Sequence, residues 1–164
     1  MNKKSKKYLT EFMKLFVLLA IILNVVSYYR SLDLNKEKLD IDTFELLDNS
    51  MYKVPQNKPI LIHFWATWCP TCKFESTNID KISKDYEVIT IAVESGSKEE
   101  IQKYLDEHKL TFKVVNDKDG FFSRNFNIKV YPTTIIYDKD KKQKFSDVGY
   151  TTTVSLYSKM ILAK

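Results

Sequence analysis

Long apolar runs separated by amphipathic stretches predict alternating strands and helices along this chain. Residues 59–66 and 87–93 are almost continuously apolar, which is typical of strands buried on both faces of a sheet. Between them, residues 69–84 read as an amphipathic helix with Phe74, Ile79 and Ile82 as its apolar positions. A capping box that starts at Ser97 predicts a further helix, which ends near His108.

The remaining predicted elements continue this alternation. They are short strands at 41–47 and near 51–54, a core strand at 111–115, a short helix at 121–126, antiparallel strands at 133–137 and 143–148, and a final helix within 151–163. Alternation of strands and helices at this length indicates an α/β fold, a central sheet with helices on both faces.

The first 30 residues are unlike the rest of the chain. Four lysines within residues 3–7 precede an apolar run at 15–29 that ends in tyrosines, a pattern typical of an export signal. With Phe12 and Met13 the run is about 18 residues, near the lower limit for a tilted span. We expect an uncleaved signal anchor; a cleaved signal peptide and a buried soluble helix are the alternatives.

The net charge of +5 belongs to this same segment. Residues 1–30 carry all of it, and the remaining 134 residues are neutral overall. The balance of the folded part therefore gives no indication of nucleic-acid binding. Because basic residues flanking a span stay in the cytoplasm, the lysines predict a single-pass protein of the inner membrane. The rest of the chain is expected in the periplasm or extracytoplasmic space.

Cys69 and Cys72 are the only two cysteines, and they stand where a predicted strand becomes a helix. Cys69 then lies at the helix N-terminus, where free N–H groups and the helix dipole stabilise a thiolate. A zinc site would need about four ligands, and a structural disulfide would close too small a loop to stabilise much. The spacing favours a redox pair, with no metal and no cofactor expected.

The residues around the pair resemble a known family. Phe64-Trp-Ala-Thr-Trp-Cys-Pro-Thr-Cys72 resembles the active-site signature of thioredoxin-like proteins, and Glu75 adds the Cys-x-x-Glu pattern of the membrane-anchored TlpA-like group. The similarity continues at 88–97, 114–120, 130–134 and 148–152. Together these stretches most resemble the suppressor-of-copper-sensitivity D subgroup of exported disulfide oxidoreductases.

This resemblance implies a thioredoxin-like fold with a mixed central sheet, preceded by a membrane helix. It divides the chain into residues 1–30, a cytoplasmic basic tip and signal anchor; 31–40, a linker; and 41–164, the thioredoxin-like domain. In such folds the loop proline, here Pro132, is cis and faces the cysteines. Tyr131 then presents backbone groups to an extended substrate peptide, and Thr133 follows in the same loop.

Other residues beside the pair are expected to contact the substrate or tune the sulfurs. Trp68 would shape the exposed surface next to Cys69, and the dipeptide Pro70-Thr71 would help to set the reduction potential. An ordinary strand-entry proline is the alternative for Pro132.

Two residues are candidates for accepting the proton of Cys72. Glu75 lies one turn beyond it on the same helix, with a solvated helix carboxylate as the alternative. His63 falls where thioredoxin-like proteins often hold a buried acid or amide, and a pKa near neutrality would let it relay a proton. A core histidine with satisfied hydrogen bonds is at least as good an interpretation.

The predicted function is thiol–disulfide exchange with cysteine-containing proteins of the cell envelope. The first expectation is a reductant that is recharged by a membrane thiol-electron donor. A disulfide-forming oxidase and a thioredoxin of cytochrome c maturation are alternatives from the same fold. A copper(I)-binding module, with both thiolates as soft ligands, is an alternative from another class.

Overall fold

The computed structural model describes residues 3–34 and 37–164, except for the side chains of residues 3–6 and 23. Residues 1–2 of the predicted basic tip and 35–36 of the predicted linker lie outside this description. The elements are α1 Lys3–Ser31, β1 Thr43–Glu45, β2 Met51–Lys53, β3 Ile60–Trp65, α2 Pro70–Ile82, β4 Glu87–Val93, α3 Lys98–His108, β5 Val114–Asp117, α4 Phe121–Asn125, β6 Thr133–Tyr137, β7 Gln143–Val148 and α5 Thr153–Leu162.

The central sheet is mixed, as predicted. Its five strands lie in the order β5-β4-β3-β6-β7. Strand β3 runs parallel to β4, and β4 runs parallel to β5. On the other side β3 pairs antiparallel with β6, and β6 pairs antiparallel with β7. Strands β1 and β2 form a separate antiparallel hairpin. The central position of β3 places its carboxyl end, where the cysteines follow, in the middle of the sheet.

Two apolar cores cover the two faces of the sheet. Successive side chains of a strand point to opposite faces, so Leu61 and Trp65 of β3 join one core and Ile62 and Phe64 join the other. Helices α2, α3 and α5 pack on the Leu61 face, whereas α4 and the β1–β2 hairpin pack on the Phe64 face. Every residue of β3 is buried, which explains its continuous apolar sequence.

The strand predicted at 111–115 lies further along the chain, at Val114–Asp117. Asp80 of α2 is the physical reason. Its Oδ1 accepts hydrogen bonds from the backbone N–H of Thr111 at 2.6 Å and from the Thr111 hydroxyl at 2.9 Å. Those bonds tie this stretch to α2, and Asn116 and Asp117, which follow the predicted strand, pair with β4.

Helix α2 buries two of its three predicted apolar positions. Phe74 is 76% exposed, although the sequence pattern assigned it to the core with Ile79 and Ile82, which are buried. Its buried positions also include four polar residues, Glu75, Ser76, Asn78 and Asp80. The buried side of α2 is therefore partly polar along most of its length.

Helix α1 is long and apolar enough to cross a membrane. The most apolar 18-residue window of its candidate span, Lys7–Ser31, has a mean hydropathy of 2.1, and none of that window is buried. That exposure does not fit a buried soluble helix, but a signal sequence has the same length and composition. Near its end, the Ser27 hydroxyl accepts a hydrogen bond from the Val148 backbone N–H of the edge strand β7 at 3.1 Å.

The stretch between α1 and β1 contributes to the core. Leu34 and Leu39, which the sequence assigned to a linker, are both buried. They pack on the same face of the sheet as Phe44 and Phe64. The packed unit on this face thus begins only a few residues after α1 ends.

Candidate active site

The two cysteines lie at the junction of β3 and α2, as the sequence predicted. They form a disulfide with Cα atoms 5.3 Å apart. Cys69 is the N-cap residue of α2, and its Sγ accepts a hydrogen bond from the Cys72 backbone N–H at 3.2 Å. Such a bond would stabilise the Cys69 thiolate in the reduced protein. Both residues are largely buried, Cys72 at 2% exposure and Cys69 at 6%.

The loop that carries Cys69 is held by the residues that follow β4. The Thr67 backbone N–H donates to the Ser95 hydroxyl at 3.0 Å, and the Trp68 indole N–H donates to the Glu94 carbonyl at 3.1 Å. Sequence reasoning did not find Glu94 and Ser95. The carboxyl ends of adjacent parallel strands share one edge of a sheet, and that rule would have placed them beside the cysteines.

The predicted substrate-binding residues lie in two segments, the turn that carries the cysteines and the stretch that leads into β6. Trp68 is 58% exposed, and its ring meets that of Tyr131 edge to face at 5.7 Å between centroids. This contact places the Tyr131 loop beside the cysteines. The Tyr131–Pro132 peptide bond is cis, as the resemblance implied. Pro70 and Thr71 are exposed.

Pro132 and Thr133 are buried within that loop. The Thr133 hydroxyl donates to the Val130 carbonyl at 2.7 Å, and the Pro132 carbonyl accepts from the Gly149 backbone N–H at 2.8 Å. The hydroxyl of Thr133 therefore stabilises the turn from Val130 to Thr133.

Glu75 is completely buried, so the interpretation as a solvated carboxylate is wrong. Its Oε1 accepts a hydrogen bond from the Thr151 backbone N–H at 3.0 Å, and its Oε2 has no hydrogen-bond partner among the described residues. Burial raises the pKa of Glu75 to about 8; the Thr151 hydrogen bond opposes this shift, and the charge of Asp147 adds to it. At neutral pH the carboxyl is mostly protonated, one turn away from Cys72.

His63 is buried on the Leu61 and Trp65 side of β3. Its Nδ1 lies 2.9 Å from the Thr134 hydroxyl on the neighbouring strand. Burial lowers the pKa of His63 to about 3, well below the near-neutral value that a proton relay would need. The ring is neutral at physiological pH, which favours the interpretation as a core histidine with a satisfied hydrogen bond.

The loop between β7 and α5, residues 149–152, was absent from the predicted site. It supplies the N–H that binds Glu75, and it is tied to α2 by Asn78, whose amide donates to the Thr151 carbonyl at 2.9 Å. Asn78 is an ordinary polar helix residue in the sequence, and no local pattern indicates that it is buried. Within residues 3–34 and 37–164, no three His, Cys, Asp or Glu side chains are grouped so that they could hold a metal ion.

This sheet, with a Cys-x-x-Cys disulfide at a helix N-terminus and a cis-proline loop beside it, defines a thioredoxin-like protein. The chain belongs to the AhpC/TSA family, whose family model matches residues 32–145.

Similar proteins carry names that agree with this class. The chain is 33% identical over 141 residues to a thioredoxin-like protein of Haemophilus influenzae, covering 84% of each sequence. It is 30% identical over 103 residues to the thiol-disulfide oxidoreductase ResA of Oceanobacillus iheyensis, covering 60% of this chain and 50% of that one. The crystal structure of StoA from Bacillus subtilis has the same fold, with a TM-score of 0.63 at 20% identity over 71% of this chain and 92% of that one.

Proposed function

We propose that this protein is a membrane-tethered thiol–disulfide oxidoreductase that reduces disulfides of cysteine-containing envelope proteins. One observation carries the proposal: the Cys69 sulfur caps α2 and accepts the Cys72 N–H, beside the loop of the cis proline. The thiol-disulfide oxidoreductase name of the ResA relative supports the same reaction type. The active-site motifs, which most resemble the suppressor-of-copper-sensitivity D subgroup, support placement in that group.

The reaction has two exchange steps. The Cys69 thiolate attacks one sulfur of a substrate disulfide; a mixed disulfide forms, and the other substrate sulfur leaves as a thiolate. Cys72 then loses its proton and attacks the Cys69 sulfur, which releases the second substrate thiolate and forms the Cys69–Cys72 disulfide. Two electrons pass from the dithiol to the substrate. A membrane thiol donor would return them to the protein.

Glu75 is the proposed proton acceptor for Cys72. A carboxyl whose pKa is about 8 is close to the ordinary thiol pKa of about 8.5, so a proton can pass between them at little cost in free energy. His63, with its lowered pKa, is a weaker base than Glu75. The substrate peptide is expected to lie over Trp68 and the Tyr131 loop.

The environment of the sulfurs supports a reducing role. Thiolate stabilisation makes a dithiol pair more oxidising. Here Cys69 accepts one backbone N–H, while Cys72 is buried one turn from a mostly protonated carboxyl. One such N–H donor gives the reduced form only limited stabilisation, which favours electron donation.

Equilibration with glutathione buffers tests this direction. We expect a reduction potential nearer to the roughly −270 mV of thioredoxin than to the roughly −120 mV of strongly oxidising proteins of this fold. Alkylation of free thiols and mass spectrometry measure the oxidised fraction, and Cys69→Ser serves as the control that cannot form the pair. A potential near the oxidising end would replace the reductant by a disulfide-forming oxidase.

The tether is tested by alkaline extraction of membranes. Because none of the most apolar window of α1 is buried, the full-length chain should stay in the membrane pellet after carbonate treatment. Detergent should release it. Recovery of full-length protein in the soluble carbonate fraction would remove the anchor from the proposal, and recovery of a shortened chain would indicate a cleaved signal peptide.

A further inference from the structure

One buried side chain, Asn78 of α2, uses both of its polar atoms to hold the 149–152 loop and the start of α5. Its amide donates to the Thr151 carbonyl at 2.9 Å and to the Tyr150 hydroxyl at 3.1 Å. Its Oδ1 accepts from the Thr153 hydroxyl at 2.8 Å. Asn78 is only 9% exposed, so these bonds replace contacts with water and leave no polar atom of the amide unpaired.

Both backbone polar groups of Thr151 hydrogen-bond to side chains of α2. Its N–H donates to Glu75 and its C=O accepts from Asn78, three residues further along the helix. Residues three apart on a helix are neighbours on one face. The side chains of Glu75 and Asn78 therefore both hydrogen-bond to one loop residue, Thr151, which is itself buried.

We propose that Asn78 is a positioning residue of the exchange reaction, which holds the 149–152 loop closed over Glu75 and keeps water away from its carboxyl. The inference rests on the proposed function, because it gives Glu75 its working environment. Asn78 contacts neither the sulfurs nor the proposed substrate surface in the described structure. It acts through Thr151.

Two opposing contributions set the pKa of Glu75, and they decide how it changes when Asn78 is lost. Burial is the largest, and it raises the pKa, whereas the Thr151 N–H lowers it by a smaller amount. Release of the loop admits water and also weakens that hydrogen bond. Since the burial effect is the larger, loss of Asn78 should lower the pKa of Glu75 towards its ordinary value.

Other charged groups near Glu75 stay the same in the test. Asp147 of β7 raises the pKa of Glu75 and is paired with Lys159 of α5. His63 is neutral, and in the oxidised protein the two cysteines do not titrate. A shift in the Glu75 titration can then be assigned to solvation of the carboxyl.

The experiment follows the Glu75 carboxyl carbon by NMR, from about pH 4 to about pH 10, in the oxidised full chain in micelles. In Asn78→Ala the apparent pKa should fall by about one unit or more, and the pH at which turnover rises should fall with it. Tyr150→Phe, which removes one hydroxyl that Asn78 contacts, should titrate within a few tenths of a unit of wild type. Should Asn78→Ala fail to fold, Asn78→Ser is also too short to reach Thr151 and should show the same fall.

A folded Asn78 variant whose Glu75 titrates as in wild type would overturn the inference. So would an equal shift in Tyr150→Phe, since the tyrosine would then be the residue that holds the loop. Failure of the proposed function has a different signature, namely a wild-type protein that reduces no disulfide at any pH while its Glu75 titration still responds to Asn78.

Discussion

Replacing Cys69 with serine should abolish disulfide exchange, whereas replacing Cys72 with serine should stop the reaction halfway. Without the sulfur that caps α2 there is no thiolate to attack a substrate, and the rate should fall to the uncatalysed background. In Cys72→Ser the Cys69 thiolate still attacks, but the group that would release the substrate is missing. The mixed disulfide should accumulate.

Both outcomes can be measured on the same samples. A disulfide-bonded peptide serves as substrate, and intact-mass spectrometry detects the adduct on Cys72→Ser, with loss of the adduct on reduction as proof of its chemistry. The same variant expressed in cells should capture envelope proteins, which are then identified after membrane isolation. Equal trapping by Cys69→Ser, or none by Cys72→Ser, would contradict the assignment of Cys69 as the attacking residue.

Replacing Glu75 with glutamine should slow the release of the mixed disulfide by roughly 100-fold near pH 8, a typical contribution of one general base. The pKa of Glu75 is raised to about 8, so the carboxyl is protonated below this pH and able to accept a proton above it. The wild-type rate should therefore rise with pH up to about 8. In the variant, release must wait for Cys72 to ionise alone, and the rise should move to higher pH.

A glutamine at position 75 should leave the fold intact, so that the variant can be assayed. Its side-chain oxygen can still accept the Thr151 N–H that Glu75 accepts now, and burial of a neutral amide in place of a mostly protonated carboxyl should change the stability little. Glu99→Gln, at an exposed site on α3, is the matched control. Stopped-flow measurement of peptide release from a preformed mixed disulfide isolates the step. A pH profile identical to that of wild type would remove Glu75 from the mechanism.

The sequence located the cysteine pair and the surrounding fold because their signals are local. A run such as 59–66 can only be a buried strand or helix, and its length, β-branched residues and following Trp-Cys-x-x-Cys motif decide between them. The capping box at Ser97 is likewise contained in four residues, and the structure shows both of its hydrogen bonds. Local chemistry of this kind does not depend on what the rest of the chain does.

Other features depend on contacts between distant residues and could not be predicted. Glu75 and Asn78 are buried because a loop more than seventy residues later folds over them. The Cys-x-x-Glu pattern made Glu75 a candidate proton acceptor, but nothing near it in the sequence shows that its carboxyl is buried. The lowered pKa of His63 follows from its complete burial, and Phe74 is exposed because Glu75 and Asn78 face inward in its place.

The short distance between α1 and the core limits where the disulfide can go. Helix α1 ends at Ser31, and Leu34 is already buried against the sheet. Three residue steps extend to about 10 Å at most, so the connection between α1 and the folded domain is very short. If α1 lies in a bilayer, the folded domain is confined to a thin layer next to the membrane surface and cannot diffuse through the whole extracytoplasmic compartment. Electron donors within the membrane then remain close to the disulfide. Soluble substrates must diffuse to the membrane surface to be reduced.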